Sequence, residues 1–226
     1  MSVMETAIGW LAPALCVGCG AEGAAICRPC LSGIKEFGER CWRCNRLIPG
    51  SRTCESCRHT GSPAKVFIFT DHDGLARQLL TSYKFAHQRT AAGPIAKAMV
   101  QTIRRQKGNL DEYLVVPVPT AASRRRQRGF GHTELLAKHI AWQLQLERRE
   151  ALRRLGHTRQ LGSSRQQRLS QLQDSFAVRR QSTVKGRRIL LIDDVLTTGG
   201  TIVAAAKVLR QAGAASVDAL LFAKRL

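Results

Sequence analysis

The chain has 226 residues, which is enough for one medium-sized domain and a small one, and 44% of them are hydrophobic. It contains no apolar run close to the roughly 20 residues of a membrane-spanning helix. The short apolar stretch at residues 10–15 lacks the basic residues that begin a secretory signal. We therefore expect a cytoplasmic protein without membrane insertion.

The positive charge is concentrated in one part of the sequence. The formal net charge is +20, and residues 121–190 alone contain 17 basic and 4 acidic residues. An excess of this size indicates a polyanionic partner, which is either nucleic acid or a phosphorylated substrate. The alternative is a basic surface that only faces solvent.

All eight cysteines occur between positions 16 and 57, and they form four Cys-x-x-Cys pairs. Two such pairs supply the four thiolates of a tetrahedral zinc site, so the sequence predicts two structural zinc ions. Disulfides, an iron–sulfur cluster and a redox motif are the alternatives, but disulfides suit a secreted chain and a redox motif normally occurs once. The predicted metal ligands are Cys16, Cys19, Cys27, Cys30, Cys41, Cys44, Cys54 and Cys57.

The way in which the four pairs combine stays open at this point. Sequential pairing gives two successive zinc ribbons, whereas interleaved pairing would use the same residues. We expect residues 1–62 to form a small double zinc-ribbon domain that needs metal to fold, because it has too few large apolar groups for a core of its own. Trp42, inside the third pair, is expected to pack within this domain, with a partner contact as the alternative.

The remaining residues, 63–226, alternate between predicted strands and helices. Strands are predicted at 65–70, 113–119, 175–178, 188–195 and 216–223, and helices at 75–84, 93–106, 134–146 and 201–212. This alternation predicts an α/β domain with a parallel sheet flanked by helices. Ligands of such sheets bind at the carboxyl ends of the strands. Trp142 is expected in the core.

A loop rich in threonine and glycine follows the strand at 188–195 and precedes the last helix. Its backbone N–H groups and the helix N-terminus suit a phosphate group. Asp193 and Asp194 come directly before this loop, where carboxylates can accept hydrogen bonds from ribose hydroxyls, directly or through Mg²⁺. The predicted phosphate-loop residues are Val195, Leu196, Thr197, Thr198, Gly199, Gly200 and Thr201.

The pattern of an apolar strand, two aspartates and a Thr-Thr-Gly-Gly-Thr loop is the one that phosphoribosyltransferases carry. Together with the cysteine pairs, it makes nearly the whole chain resemble the ComF family, which includes GntX. Further matches are the Lys-Phe pair at 84–85, the proline-ended strand at 115–119, the arginine-rich turn at 124–130 and the polar segment at 160–176.

Two departures from the family pattern concern polar residues. The family commonly has Asn-Gln where this chain has Gly131 and His132, and a later Asn is replaced by Gln171. Both changes put contacts with the far end of the substrate in doubt. His132 is expected to be a solvated loop residue, with a phosphate contact as the alternative.

The resemblance implies a type I phosphoribosyltransferase-like fold and a role in handling DNA, taken up during natural transformation or used as a nutrient. As an enzyme, the protein would transfer a phosphoribosyl group from phosphoribosyl pyrophosphate, with Mg²⁺, to an unknown acceptor. Asp193 and Asp194 are the predicted catalytic residues. The predicted contacts with pyrophosphate and the rest of the substrate are Lys84, Pro117, Arg124, Arg128 and Arg165.

Two other functions stay open. The protein could be a zinc-dependent single-stranded DNA-binding protein without catalysis, which uses its phosphoribosyl pyrophosphate site as a nucleotide sensor. It could also be a regulator that kept the fold and lost activity. The expected partners are a phosphoribosyl ligand, single-stranded DNA and proteins of competence or DNA processing.

Overall fold

A parallel sheet organises the part of the chain that the computed structural model describes, which is residues 14–59, 61–85, 88–106, 110–155 and 175–225. Within these residues the sheet has four strands in the order β1-β6-β5-β2. Their bounds are Val66–Asp71 (β1), Tyr113–Pro117 (β2), Arg188–Leu196 (β5) and Ser216–Lys224 (β6). A small antiparallel pair is formed by Leu152–Arg154 (β3) and Phe176–Val178 (β4). The predicted parallel α/β fold is confirmed.

Helices cover both faces of the sheet. Among the described residues they are Arg28–Ser32 (α1), Gly74–Phe85 (α2), Ala92–Gln106 (α3), Ala122–Arg128 (α4), His132–Leu144 (α5) and Gly200–Gln211 (α6). Helices α2, α3 and α5 share a core with Phe67 and Phe69 of β1. Helix α6 packs on the opposite face, where Val66 and Ile68 point. This alternation along β1 is the period of two that a strand between two packed layers requires.

The predicted strands and helices are confirmed to within about two residues at most ends. Strand β5 is the clearest case, because its four apolar residues Ile189–Ile192 are completely buried, as expected of a central parallel strand. Among the α-helices and strands of the described residues, α1, β3 and α4 were not predicted. The arginine-rich turn expected at 124–130 is largely helix α4.

Trp142 was predicted to lie in the core, and this is wrong, because 78% of its surface is exposed. The buried stripe of α5 passes through Leu136, Ala137, Ile140 and Ala141. Position 142 is rotated by about 100° from its neighbour in a helix of 3.6 residues per turn, which takes it off that stripe. Its size and apolar character suggested the core, but its place in the helical period did not.

The cysteine-rich segment, residues 16–57, covers the edge of the sheet at β1. The Phe37 N–H donates to the Phe69 carbonyl at 2.8 Å, and the Thr53 N–H donates to the Ala64 carbonyl at 3.2 Å. The first part of the segment adds Ile26 to the core on the α3 side, and the second part adds Phe37 and Trp42 to the core on the α6 side. An exposed edge strand invites pairing with other chains, so this cover protects β1.

No helix within the described ranges combines the length and the apolar character needed to cross a bilayer. The polar segment predicted at 160–176 lies, apart from its last two residues, outside the described residues, and so does Arg165.

Candidate active site

Two adjacent aspartates lie at the carboxyl end of the central strand β5. Asp193 is 9% exposed and Asp194 is 5% exposed. The Asp193 carboxylate accepts a hydrogen bond from the Asp194 N–H at 2.9 Å, and the Asp194 carboxylate accepts one from the Val195 N–H at 2.6 Å. Backbone donors therefore fix both carboxylates beside the predicted phosphate loop.

Two side chains from the helical layer contact the second of these acids. The Lys84 Nζ, at the end of α2, lies 2.5 Å from the Asp194 Oδ2. The His132 Nε2, at the start of α5, lies 3.1 Å from the same oxygen. The neighbouring Tyr83 hydroxyl donates to the His132 carbonyl at 2.7 Å, which ties the end of α2 to the start of α5. Lys84 was a predicted substrate contact, and in this state it neutralises Asp194.

The hydrogen bonds of His132 determine which ring nitrogen carries the proton. The Arg128 Nη1 lies 3.1 Å from the His132 Nδ1, and a guanidinium can only donate. The Nδ1 is therefore an acceptor, and the proton of a neutral ring resides on Nε2, which lies 3.1 Å from the Asp194 Oδ2. Arg128, His132 and Asp194 form a continuous chain of polar contacts. The prediction that His132 is a solvated loop residue is wrong, because only 7% of its surface is exposed.

The two acids differ in their affinity for a proton. Desolvation, with the negative charge of Asp194 as a second cause, raises the pKa of Asp193 to about 7. Desolvation acts on Asp194 in the same direction, but Lys84 and His132 outweigh it and hold the pKa of Asp194 well below its usual range. Near neutral pH the pair therefore combines one fixed carboxylate with one carboxyl group that readily exchanges a proton.

Glu134 connects the segment after β2 to the start of α5. Its carboxylate accepts a hydrogen bond from the Thr120 hydroxyl at 2.7 Å and one from the Thr120 N–H at 3.2 Å. A Cβ atom at Gly131 would lie 2.3 Å from the Glu134 Oε2, so a side chain there would displace this carboxylate. Gly131, where the ComF family commonly has asparagine, therefore leaves the space that the Glu134 carboxylate occupies.

The predicted phosphate loop connects β5 to α6. Strand β5 continues through Leu196, and α6 begins at Gly200, so the loop proper is shorter than predicted. Thr197 and Thr198 are exposed, and the first turn of α6 has no acidic residue. Gly199 has a φ of 79°, a left-handed conformation that favours glycine. The Gly200 N–H donates to the Thr198 hydroxyl at 3.5 Å, and exposed threonine hydroxyls at a helix N-terminus suit an anion.

The other predicted substrate contacts differ in burial and in their position relative to the two acids. Pro117 ends β2 beside Ile192 of β5. Arg128 is buried against His132, whereas Arg124 is exposed on α4. Arg165 lies outside the described residues.

Sequence reasoning missed the arginines of the β3–β4 pair. A cavity of about 200 Å³ lies next to the end of β2, and its lining includes Pro117, Thr120, Arg125, Arg154 and Arg179. Desolvation and then the Arg124 charge lower the pKa of Arg154, while Asp193 acts in the opposite direction. Arg154 thus lies under the influence of both Arg124 and the acids. The dense basic residues near 148–154 were the available signal, but no motif singled them out.

The cysteines form two groups of four, each of which could hold a metal ion. The pairs combine sequentially, as Cys16, Cys19, Cys27 and Cys30 and as Cys41, Cys44, Cys54 and Cys57, with all sulfurs of a group within 4.8 Å of one another. The Cys19 and Cys27 sulfurs are 3.7 Å apart, and the Cys44 and Cys54 sulfurs are 3.6 Å apart. Four sulfurs about 2.3 Å from a tetrahedral zinc ion would be about 3.8 Å apart, whereas a disulfide needs about 2.05 Å.

Comparisons with known proteins agree with this architecture. Residues 133–226 match the phosphoribosyl transferase domain. Competence protein F of Haemophilus influenzae is 26% identical over 213 residues, which cover 90% of this chain and 87% of that protein. The DNA utilization protein YhgH of Salmonella typhimurium is 26% identical over 206 residues, which cover 85% of this chain and 87% of that protein.

Among solved structures, the glutamine phosphoribosylpyrophosphate amidotransferase of Bacillus subtilis matches 62% of this chain with a TM-score of 0.42 and 14% identity. The match spans only 30% of that longer chain. The matched domain, the parallel sheet and the loop after the two acids define a protein with the phosphoribosyltransferase fold. With its cysteine groups, the chain is similar over most of its length to competence and DNA utilization proteins.

The raised pKa of Asp193 predicts a pH-dependent effect of the Asp193→Asn substitution. The folded protein takes up a proton at Asp193, so the associated stability is present below about pH 4 and is lost as the pH rises through about 7. The asparagine variant lacks this loss. Relative to the wild type, its free energy of unfolding should therefore rise by about 2–3 kcal/mol between about pH 5 and about pH 8.

Urea unfolding at the two pH values measures this difference. Asp73→Asn, at an exposed aspartate before α2, is the control and should show no such change. A difference between Asp193→Asn and the wild type that stays constant with pH would contradict the assigned proton.

Removing Lys84 should destabilise the protein through Asp194. The Lys84→Met variant leaves a buried carboxylate without its cation, which typically costs about 3 kcal/mol. Adding Asp194→Asn removes the uncompensated charge, so the double variant should be more stable than Lys84→Met alone. The exposed pair Arg105–Glu36 is the control, and Arg105→Met should cost less than about 1 kcal/mol. If the effects of Lys84→Met and Asp194→Asn on the free energy of unfolding simply add in the double variant, the two side chains do not interact and the pairing is ruled out.

Proposed function

We propose that this protein binds phosphoribosyl pyrophosphate at the carboxyl end of β5 and transfers its phosphoribosyl group to an acceptor during the use of imported DNA. The observation that carries the proposal is the pair of buried acids, Asp193 and Asp194, directly before an open loop of threonines and glycines at a helix N-terminus. The names of the relatives in competence and DNA utilization support the biological setting.

Each part of the site has a role in this proposal. The loop at 197–201 binds the 5-phosphate through backbone N–H groups and the hydroxyls of Thr197 and Thr198. Asp194, held as a carboxylate by Lys84 and His132, accepts a hydrogen bond from one ribose hydroxyl. Asp193, which titrates near neutral pH, can accept or donate a hydrogen bond to the other hydroxyl.

The transfer breaks the bond between ribose C1 and the diphosphate oxygen. The diphosphate leaves with the electron pair, the acceptor forms the new bond to C1 and gives up a proton, and the charge at the ribose is positive in between. The fixed negative charge of Asp194 stabilises that positive charge. Arg125 and Arg154 line the cavity after β2, and the Arg124 charge acts on Arg154, so these arginines would stabilise the departing diphosphate there.

Mg²⁺ fits this site mainly through the ligand. Carboxylate oxygens suit Mg²⁺, but Lys84 and His132 occupy the Asp194 Oδ2. The ion would therefore be bound by the diphosphate oxygens, with Asp193 as the available protein ligand, and it would neutralise the leaving group.

We also propose that zinc occupies both cysteine groups, since their sulfur separations fit a tetrahedral site and closed sulfur sites are structural. We further propose that residues 1–62 form the double zinc-ribbon domain and that residues 63–226 form the phosphoribosyltransferase-like domain.

Single-stranded DNA is the proposed macromolecular partner. The exposed arginines of α4, Arg124, Arg125 and Arg126, lie beside the cavity and provide positive charge without a base-specific element. Contacts of this kind bind phosphates and weaken as salt rises. A DNA-binding protein that uses the site only as a nucleotide sensor is the second candidate function, and the same surface supports it.

Titration of phosphoribosyl pyrophosphate with Mg²⁺ into the full, zinc-loaded protein tests the site. The wild type should bind, and Thr197→Ala and Thr198→Ala should each weaken binding by about tenfold, because each removes a hydrogen bond to a charged group. The control is Thr81→Ala on α2, where the exposed hydroxyl donates to the carbonyl of its own helix. That variant should bind as the wild type does.

The outcomes separate the candidate functions. Binding with release of pyrophosphate when DNA or a base is added supports the transferase. Binding without release, together with salt-sensitive DNA binding, favours the sensor. No binding of phosphoribosyl pyrophosphate to a folded wild type at millimolar concentration contradicts the proposed site.

A further inference from the structure

The segment that carries the second cysteine group, formed by Cys41, Cys44, Cys54 and Cys57, contacts the predicted phosphate loop through Trp42. A Cβ atom built on Gly199 would lie 2.2 Å from the Cζ3 of Trp42 and 2.8 Å from its Cη2. These separations are far below any real contact of a Cβ atom, so the edge of the indole ring fills the place of a side chain at Gly199. The ring belongs to the residue that follows Cys41.

The indole ring is fixed by residues next to the metal ligands. Its Nε1 donates to the Thr53 Oγ1 at 2.9 Å, and that hydroxyl donates to the Pro63 carbonyl at 2.9 Å. Thr53 directly precedes Cys54. The Arg43 guanidinium lies 5.1 Å from the centre of the ring. Trp42 is 2% exposed and also packs in the core between the sheet and α6.

A second connection joins the same group to the base of the loop. Lys224, near the end of β6, donates to the Asn45 side-chain carbonyl, and Asn45 directly follows Cys44. Lys224 also lies 5.3 Å from the centre of the Phe37 ring. In the sheet Lys224 is paired with Leu196, the last residue of β5 before the loop. The segment that carries this group therefore contacts the loop directly through Trp42 at Gly199, and it is connected indirectly to Leu196 through Asn45 and Lys224.

The first cysteine group contacts a different part of the protein. Gly18, between Cys16 and Cys19, lies against Leu75 of α2, and Ile26 joins the core on the α3 side.

We infer that Trp42 is a positioning residue of the phosphate loop, and that metal binding at the second cysteine group thereby sets the affinity of the loop for a phosphate group. The affinity part of this inference rests on the proposed function, whereas the positioning part does not. With the metal bound, Cys41 and Cys54 fix the positions of their sequence neighbours Trp42 and Thr53. The indole ring then supports the left-handed turn at Gly199. Without it, the loop loses this support and its N–H groups no longer converge on one point.

Amide hydrogen exchange of the full, zinc-loaded chain tests the positioning directly, because it needs no ligand. In Trp42→Ala, peptides covering 197–203 should exchange about tenfold faster, while those of β5 and α3 stay protected. Trp42→Phe, which keeps an aromatic ring but not the Nε1 donor, should restore part of the protection. The control is Trp142→Ala on the exposed side of α5, which should leave the loop unchanged.

Titration of phosphoribosyl pyrophosphate with Mg²⁺ into the same variants measures the affinity. Trp42→Ala should weaken binding by about tenfold, since a misplaced binding group loses affinity steeply. Serine substitution of Cys41 and Cys44 should act in the same direction, with one metal ion lost per chain. Gly199→Ala should weaken binding less in the Trp42→Ala background than in the wild type, because the clash with the ring is gone.

Unchanged exchange in the loop of a folded Trp42→Ala variant overturns the inference. If Trp42→Ala does not fold, Thr53→Val removes the acceptor of the indole N–H at nearly constant volume, and unchanged loop exchange in that variant has the same meaning. A wild type that fails to bind phosphoribosyl pyrophosphate contradicts the proposed function, but the exchange result still decides whether Trp42 positions the loop. If the loop of Trp42→Ala exchanges faster but the variant binds phosphoribosyl pyrophosphate as tightly as the wild type, the proposed link between metal binding and phosphate affinity is overturned.

Discussion

The burial of two adjacent carboxylates at the end of β5 is the constraint on which the rest of the site depends. A buried charge is tolerated only when it is paired or protonated. Asp194 is paired with Lys84 from α2 and with His132 from α5, so these helices must end and begin at the same point. For Asp193, desolvation and the charge of Asp194 outweigh the charges of Lys84 and Arg154, and its pKa rises. The strand end, the helix layer and the proton distribution are thus consequences of one electrostatic requirement.

The Arg128–His132–Asp194 chain extends this requirement toward the segment after β2. Arg128 fixes the tautomer of His132, while Glu134 in the same helix turn binds Thr120. The start of α5 therefore links the two regions that would bind opposite ends of a phosphoribosyl ligand. The family commonly has Asn-Gln at positions 131–132, and this chain instead uses a glycine that leaves room for Glu134 and a histidine that contacts Asp194.

The sequence predicted those parts of the fold that are recorded in local patterns. The apolar run before Asp193, the helical periods of α2, α3 and α6, and the cysteine spacing each constrain a short stretch of chain, and each prediction agreed with the structure. The contacts of His132 and Trp42 could not be predicted this way. They depend on how α5 and the cysteine-rich segment pack on the sheet, and no local period encodes that packing. Trp142 shows the opposite case, because its residue type indicated burial while its place in the helix did not.

The cysteine-rich segment and the sheet stabilise one another. The segment has few large apolar groups, so it gains a core by placing Phe37 and Trp42 against the face that carries α6. The sheet in turn gains a cover for its β1 edge, through the backbone hydrogen bonds of Phe37 and Thr53. A cysteine-rich segment that contacts both an edge strand and the predicted phosphate loop is more than an attached module.

A crystal structure determined with phosphoribosyl pyrophosphate and Mg²⁺ would test the central claim most directly. The account predicts the 5-phosphate within the loop at 197–201 and the ribose hydroxyls within hydrogen-bond distance of Asp193 and Asp194. A ligand bound elsewhere, with this loop empty and Lys84 still paired to Asp194, would contradict it.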